Sequence, residues 1–164
     1  AKRLGMQFID TDLLIQEQEG KLLREIIAEA GQDGFLKSEN QVNAAVSPEN
    51  AVISPGGSVI YCREAMEHNK KIGTVVYLKA SYQTIKKRIR NPKKRGVVLR
   101  EGQSLRDLYD ERVPYFEKYA DITVCEDGCR IEETIENVLN AVEKRRKKYR
   151  RRKKLDKGTS PKLK

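Results

Sequence analysis

The sequence predicts an α/β fold, a parallel sheet with helices on both faces in three αβα layers. Apolar strand-like runs alternate with helical patterns along the chain, the order that builds parallel sheets. Three of the four runs are short and apolar, as strands buried on both faces are. Two strands also run straight into chemically suggestive loops, Asp10–Asp12 and Pro55–Ser58. Ligands of open parallel sheets gather beyond the carboxyl ends of the strands.

Taken in order, "AKRLGM" reads as a helix end closed by Gly5, since glycine accepts the left-handed backbone of such a stop. "QFIDT" is a short strand. Residues 12–30 carry two helical patterns split by Gly20, and Gly31 stops the second. "GFLKSENQVNAAV" is a further helix ended before Pro48, and "NAVIS" is the second strand. Residues 59–70 look helical, and "GTVVYLKA" is the third and clearest strand. "SYQTIKKRIRN" begins with a serine cap, and "PKKRGVVLREGQS" is a basic loop. Residues 104–120 form a helix with Ser104 as candidate cap, and "DITVCE" is the fourth strand. From Arg130 a last helix sets Ile131, Ile135, Val138, Leu139 and Val142 on one face, then dissolves into basic sequence.

The 164 residues carry a net charge of +10, which invites a nucleic-acid reading. Its location weakens that reading for the domain. Residues 143–164 hold 13 Lys/Arg against 2 Asp/Glu, a net of +11, while residues 1–142 hold 21 against 22, a net of −1. A near-neutral domain therefore spans 1–142 and a basic, low-complexity tail spans 143–164. The tail would give weak, non-specific nucleic-acid contact. Cys62, Cys125 and Cys129 are odd in number and poorly spaced for zinc, so they read as reduced thiols of a cytoplasmic protein. No apolar run approaches the roughly 20 residues of a membrane span. His68, the one histidine, lies in the polar run "EHNKK" and is expected to be exposed and idle.

Each candidate site residue has a plain reading and a chemical one. Asp10 and Asp12 leave an extended chain on the same side. At a strand end, such a pair suits Mg²⁺ held through water, or one cation and one substrate hydroxyl. The plain reading makes Asp12 a helix cap. In "SPGGS", Gly56 and Gly57 let backbone N–H groups approach a ligand, or merely make a tight turn. The cations of "KKRIRNPKKR" suit polyphosphate, or form a solvated helix end. Arg112 precedes Pro114, which would kink or restart its helix and leave the guanidinium as an anion clamp.

Together these pieces resemble the shikimate kinase family. The matching stretches are "LGMQFIDTDLLI", Phe35 to Glu39 as F-x3-E, a strand followed by "GGS", "VVYLKAS", "RGVVL" and "RVPYFEKYAD". The resemblance covers about residues 1–142 and implies the P-loop kinase fold of the nucleoside-monophosphate-kinase type. It implies ATP-dependent phosphorylation of shikimate, a step of aromatic amino-acid biosynthesis, with ATP and Mg²⁺ as cofactors and a monomeric state. Asp10 would hold Mg²⁺ through water, and Asp12 would bind the substrate hydroxyl and accept its proton. Gly56 and Gly57 would offer backbone donors, and Arg112 would pair with the substrate carboxylate. Arg95 would reach the phosphates from the lid, and Arg88 would lie near the adenine.

The chain departs from the pattern in three places. It holds no G-x4-G-K-[ST] phosphate loop. The expectation is that this loop and its strand would lie upstream of Ala1, and that the chain alone is inactive. Leu36 stands where the family has a second carboxylate-binding arginine. Ser58 replaces the third glycine of "GGG", and the lid's "RP" is "RG" at Arg95–Gly96. Two alternatives follow: a related kinase with another hydroxylated substrate, and a nucleic-acid-binding module acting through the tail.

Overall fold

The computed structural model describes residues 1–89, 97 and 99–158, with backbone alone over 152–158. Four strands and six helices follow one another as β1 (Gln7–Asp10), α1 (Thr11–Glu19), α2 (Leu23–Ala45), β2 (Ala51–Ser54), α3 (Arg63–Ile72), β3 (Val76–Lys79), α4 (Tyr82–Arg88), α5 (Leu105–Tyr119), β4 (Ile122–Cys125) and α6 (Ile131–Gly158). Short 3₁₀ turns at Lys2–Leu4 and Val59–Tyr61 precede β1 and α3.

Both strand pairings are parallel, as the alternation predicts. β1 lies beside β2 with Gln7 opposite Ala51 and Asp10 opposite Ser54. β3 lies beside β4 with Val76 opposite Ile122 and Lys79 opposite Cys125. Among the described residues these are two separate two-stranded sheets rather than one continuous sheet.

The expected punctuation is present. Gly5 and Gly20 take the left-handed conformation at their helix ends. α2 breaks at Gly31, whose φ of 69° and ψ of −176° interrupt the helical run. Ser81 caps α4 through the Thr84 N–H, and Ser104 caps α5 through the Asp107 N–H.

Two apolar clusters hold the helices to one another. Ile15, Ile26, Phe35 and Val42 form one. Val59, Ile60, Cys62, Ala65 and Met66 form the other, with Leu36 and Phe116 packed against it. Each fully buried aliphatic side chain contributes about 1.5–3 kcal/mol. α2 serves both clusters, because Phe35 and Leu36 are about 100° apart on the helix.

Three local expectations change. α5 runs through Pro114 without restarting. His68 is half-buried, and its Nε2 donates to the Val46 carbonyl at 2.9 Å and lies 3.1 Å from the Ser47 hydroxyl. It therefore ties α3 to the end of α2. The last helix does not dissolve where its apolar face ends but continues to Gly158. Glu143 pairs with Lys147 one turn on, and Arg145 reaches Asp121 at 2.9 Å.

Candidate active site

The residues around the carboxyl ends of β1 and β2 converge on Gly56. Asp10 ends β1 and is itself the helix cap, its Oδ1 accepting the Asp12 N–H at 3.0 Å. Asp12 is therefore not the cap. Its carboxyl is left for other work, and Asp12 Oδ1 is buried with no hydrogen-bond partner. Burial, and then the charge of Asp10, raises its pKa above the usual carboxylate value. A buried acceptor without a donor is costly and uncommon, so this oxygen marks a place where a ligand donor fits.

Gly56 and Gly57 have ordinary φ angles, so left-handed backbone does not explain them. The space around them does. A Cβ on Gly56 would lie 2.8 Å from Asp12 Oδ1 and 3.0 Å from Glu39 Oε1, and one on Gly57 would lie 3.3 Å from an Arg112 terminal nitrogen. The glycine pair keeps a cradle open between two carboxyls and a guanidinium.

Arg112 arrives from α5. Its guanidinium carbon stands 5.6 Å from the centre of the Tyr61 ring, a cation–π arrangement. Its Nε is buried without a hydrogen-bond acceptor. Tyr61 is held in turn by donating to Glu111 at 2.7 Å.

Glu39 completes the cluster. The sequence motif F-x3-E contains it, yet its role was not legible. It is 0% exposed, its Oε1 accepts from the Ser58 hydroxyl at 3.0 Å, and its Oε2 faces the Cys62 thiol at 3.9 Å. Burial, the largest cause, and the nearby Asp12 push its pKa up to about 7, against the opposing pull of Ser58, Arg112 and Cys62. Burial and the Glu39 charge likewise push the Cys62 thiol up to about 12. The signal for Glu39 was an acid interrupting the apolar stripe Phe35, Val42 on α2.

The other predicted positions sit apart. Arg88, the last residue of α4, is half-exposed and paired with Glu126 after β4. Arg95 and Gly96 lie outside the described residues. Cys62, Cys125 and Cys129 carry free thiols. Among the described residues no helix is long and apolar enough to cross a membrane.

This geometry has relatives. The shikimate kinase family model matches residues 1–143. The shikimate kinase of Chlorobium chlorochromatii is 34% identical over 155 residues, covering 88% of this chain and 81% of that one. The shikimate kinase of Sulfurihydrogenibium sp. is 30% identical, covering 88% and 87%. Among solved structures, the Aquifex aeolicus shikimate kinase superposes with a TM-score of 0.74 at 30% identity, over 87% of this chain and 84% of that one. The Acinetobacter baumannii shikimate kinase in complex with shikimate gives 0.67 at 29% identity, over 76% and 71%.

Proposed function

The chain belongs to the shikimate kinase family, and from that premise we propose that it transfers the γ-phosphoryl group of ATP to a hydroxyl of shikimate. The acceptor sits between Asp12, the Gly56–Gly57 backbone and Arg112. One observation carries this reading: Asp12 Oδ1 and Arg112 Nε, both buried without partners, flank a glycine pair where a Cβ would crowd Asp12, Glu39 and Arg112. An orphan acceptor and an orphan cationic donor across a cradle are what a hydroxylated carboxylate satisfies.

In this site Arg112 fixes the substrate carboxylate, and the Gly56–Gly57 backbone sets the ring against Asp12. The raised pKa of Asp12 makes it a better acceptor for the hydroxyl proton. Phosphoryl transfer asks little covalent chemistry of a protein, so positioning and charge carry the rate. The free oxygen of Asp10 fits an oxygen-seeking cation held through water. A bound Mg²⁺ neutralises charge on the phosphates. Arg95 is proposed for the phosphates and Arg88 for the adenine side.

The 164 residues hold no G-x4-G-K-[ST], and the acceptor side of the reaction can be tested on them directly. Calorimetry of shikimate against this chain is expected to show binding without turnover. Fusing a strand–loop–helix with that motif ahead of Ala1 is expected to yield shikimate 3-phosphate from ATP. Absence of shikimate binding would sink the reading.

A second reading concerns the tail. The helix α6 carries its basic residues through to Gly158, with Lys144 to Arg151 exposed. It is proposed to give weak nucleic-acid contact without sequence preference. Duplex DNA titrated at rising salt is expected to show the steep loss of affinity that counterion release produces; salt-insensitive binding would overturn this. A monomer in the cytoplasm is the state proposed for the chain.

A further inference from the structure

We propose that Glu39 holds a proton when the substrate carboxylate is bound, so that shikimate binding takes up a proton from solution. This rests on the acceptor site proposed above and specifies its charge state.

The groups around Glu39 come from five parts of the fold. Its own helix presents Leu36 one turn earlier, on the same side, and Leu36 is committed to the apolar cluster around Val59 and Met66. α1 presents Asp12, a like charge. The turn after β2 presents the Ser58 hydroxyl at 3.0 Å, and the start of α3 presents the Cys62 thiol at 3.9 Å. α5 presents Arg112, which forms no ion pair with Glu39 within 4.0 Å.

The two carboxyl oxygens are therefore served unequally. Oε1 has one neutral donor. Oε2 has only a thiol at a distance where sulfur is a weak partner. An ionised carboxylate that is fully buried requires a cation or several strong donors, and among the described residues this one has a single strong donor and no cation within ion-pair distance. A proton on Oε2 resolves the deficit.

Substrate binding sharpens the demand. Among the described residues the pocket holds one cation, Arg112, against the carboxyls of Asp12 and Glu39. A substrate carboxylate brings a further negative charge into a water-poor space. With Glu39 ionised, three carboxylates would face one guanidinium. With Glu39 neutral, the substrate can take Arg112 without a buried surplus. The balance is simple: chain, shikimate anion and one proton combine, and the proton rests on Glu39.

The test is calorimetry of shikimate with the full chain between pH 6 and 8.5, in buffers of different ionisation enthalpy. The natural chain is expected to take up close to one proton above pH 7, with Kd weakening by up to about tenfold per pH unit. Glu39→Gln, a neutral isostere, is expected to bind without that uptake and with a nearly flat profile. Ser58→Gly removes the donor on Oε1 and is expected to move the fall in affinity to higher pH. Leu36→Arg sets a guanidinium one turn from Glu39 and is expected to abolish the uptake. Binding without proton uptake, or uptake that persists in Glu39→Gln, overturns the proposal and leaves the substrate reading standing. No shikimate binding at any pH sinks the substrate reading and this proposal with it. Infrared difference spectra at pH 8 read the proton directly. A protonated-carboxyl band that appears on shikimate binding and is missing in Glu39→Gln is expected, and its absence from the natural chain overturns the proposal.

Discussion

The mouth of the β1–β2 sheet and the mouth of the β3–β4 sheet treat their polar groups in opposite ways. Beyond β1 and β2, Thr11 Oγ1, Asp12 Oδ1 and Arg112 Nε are buried without partners. Beyond β3 and β4, the described polar groups named next are paired within the chain. Asp127 accepts from the Ser81 N–H, the Ser81 hydroxyl and the Thr84 hydroxyl. Tyr109 donates to the Ala80 carbonyl, and Lys79 pairs with Glu117. The first mouth stores unmet hydrogen-bonding demand, which a ligand relieves. The second spends its polar groups on holding α4 and α5 to the sheet.

Substitutions break this contrast most sharply at Gly56. In Gly56→Ala the added Cβ meets Asp12 and Glu39 at 3.0 Å or less. Overpacking of this kind costs about 1–3 kcal/mol of stability, and shikimate binding is expected to vanish while circular dichroism keeps the folded spectrum. Retained binding would show that the cradle is not the acceptor site.

Next in size is the pH dependence of stability. Glu39 rises from 4.5 unfolded to about 7 folded. Between those values the unfolded chain has released this proton and the folded chain has not, so stability falls as pH rises. The loss amounts to about 3 kcal/mol, complete just above pH 7. Denaturant unfolding at pH 5 and pH 8 measures it, and Glu39→Gln is expected to remove most of the slope.

Arg112→Ala is expected to weaken shikimate binding by about 1.5–3 kcal/mol, roughly tenfold to a hundredfold, with little change in stability. Arg112→Lys should recover only part, since a point charge replaces a planar fork. An equal loss for a ligand lacking the carboxylate would assign Arg112 a purely structural role.

The smallest effect belongs to the second mouth. Hydrogen bonds from Thr84 and Ser81 hold the Asp127 carboxyl below its usual 3.8. Its contribution is present above 3.8 and is lost as pH falls through the folded value. Asp127→Asn is expected to lower Tm slightly at pH 7 and to leave shikimate affinity unchanged. A change in affinity would mean that the two mouths are coupled.

Much of this was legible in the residues. Four apolar runs gave four strands, and glycine or serine at positions 5, 20, 31, 81 and 104 gave the stops and starts, because those signals act within one helical turn. Asp12, Gly56 and Arg112 were legible as candidates through their motifs. The capping role of Asp10 was not, because either aspartate of a D-x-D pair can cap and only backbone direction decides. The burial of Glu39 depends on α1, α3 and α5 closing over it, which no local window contains. The bonds of His68 were hidden for the same reason: its partners Val46 and Ser47 lie on another element. Within the extended α6, Arg145 meets Asp121, again a contact distant in sequence.

The parallel pairings have a kinetic consequence. Gln7 meets Ala51 and Val76 meets Ile122, so each pairing closes within its own contiguous stretch of chain. Neither pairing reaches across residues 55–75. The two stretches can therefore order independently, each with its own loop closure, while Tyr61 on Glu111 and Leu36 near Phe116 tie them together. Pulse-labelled hydrogen exchange during refolding should resolve two sets of strand amides protected at separate rates.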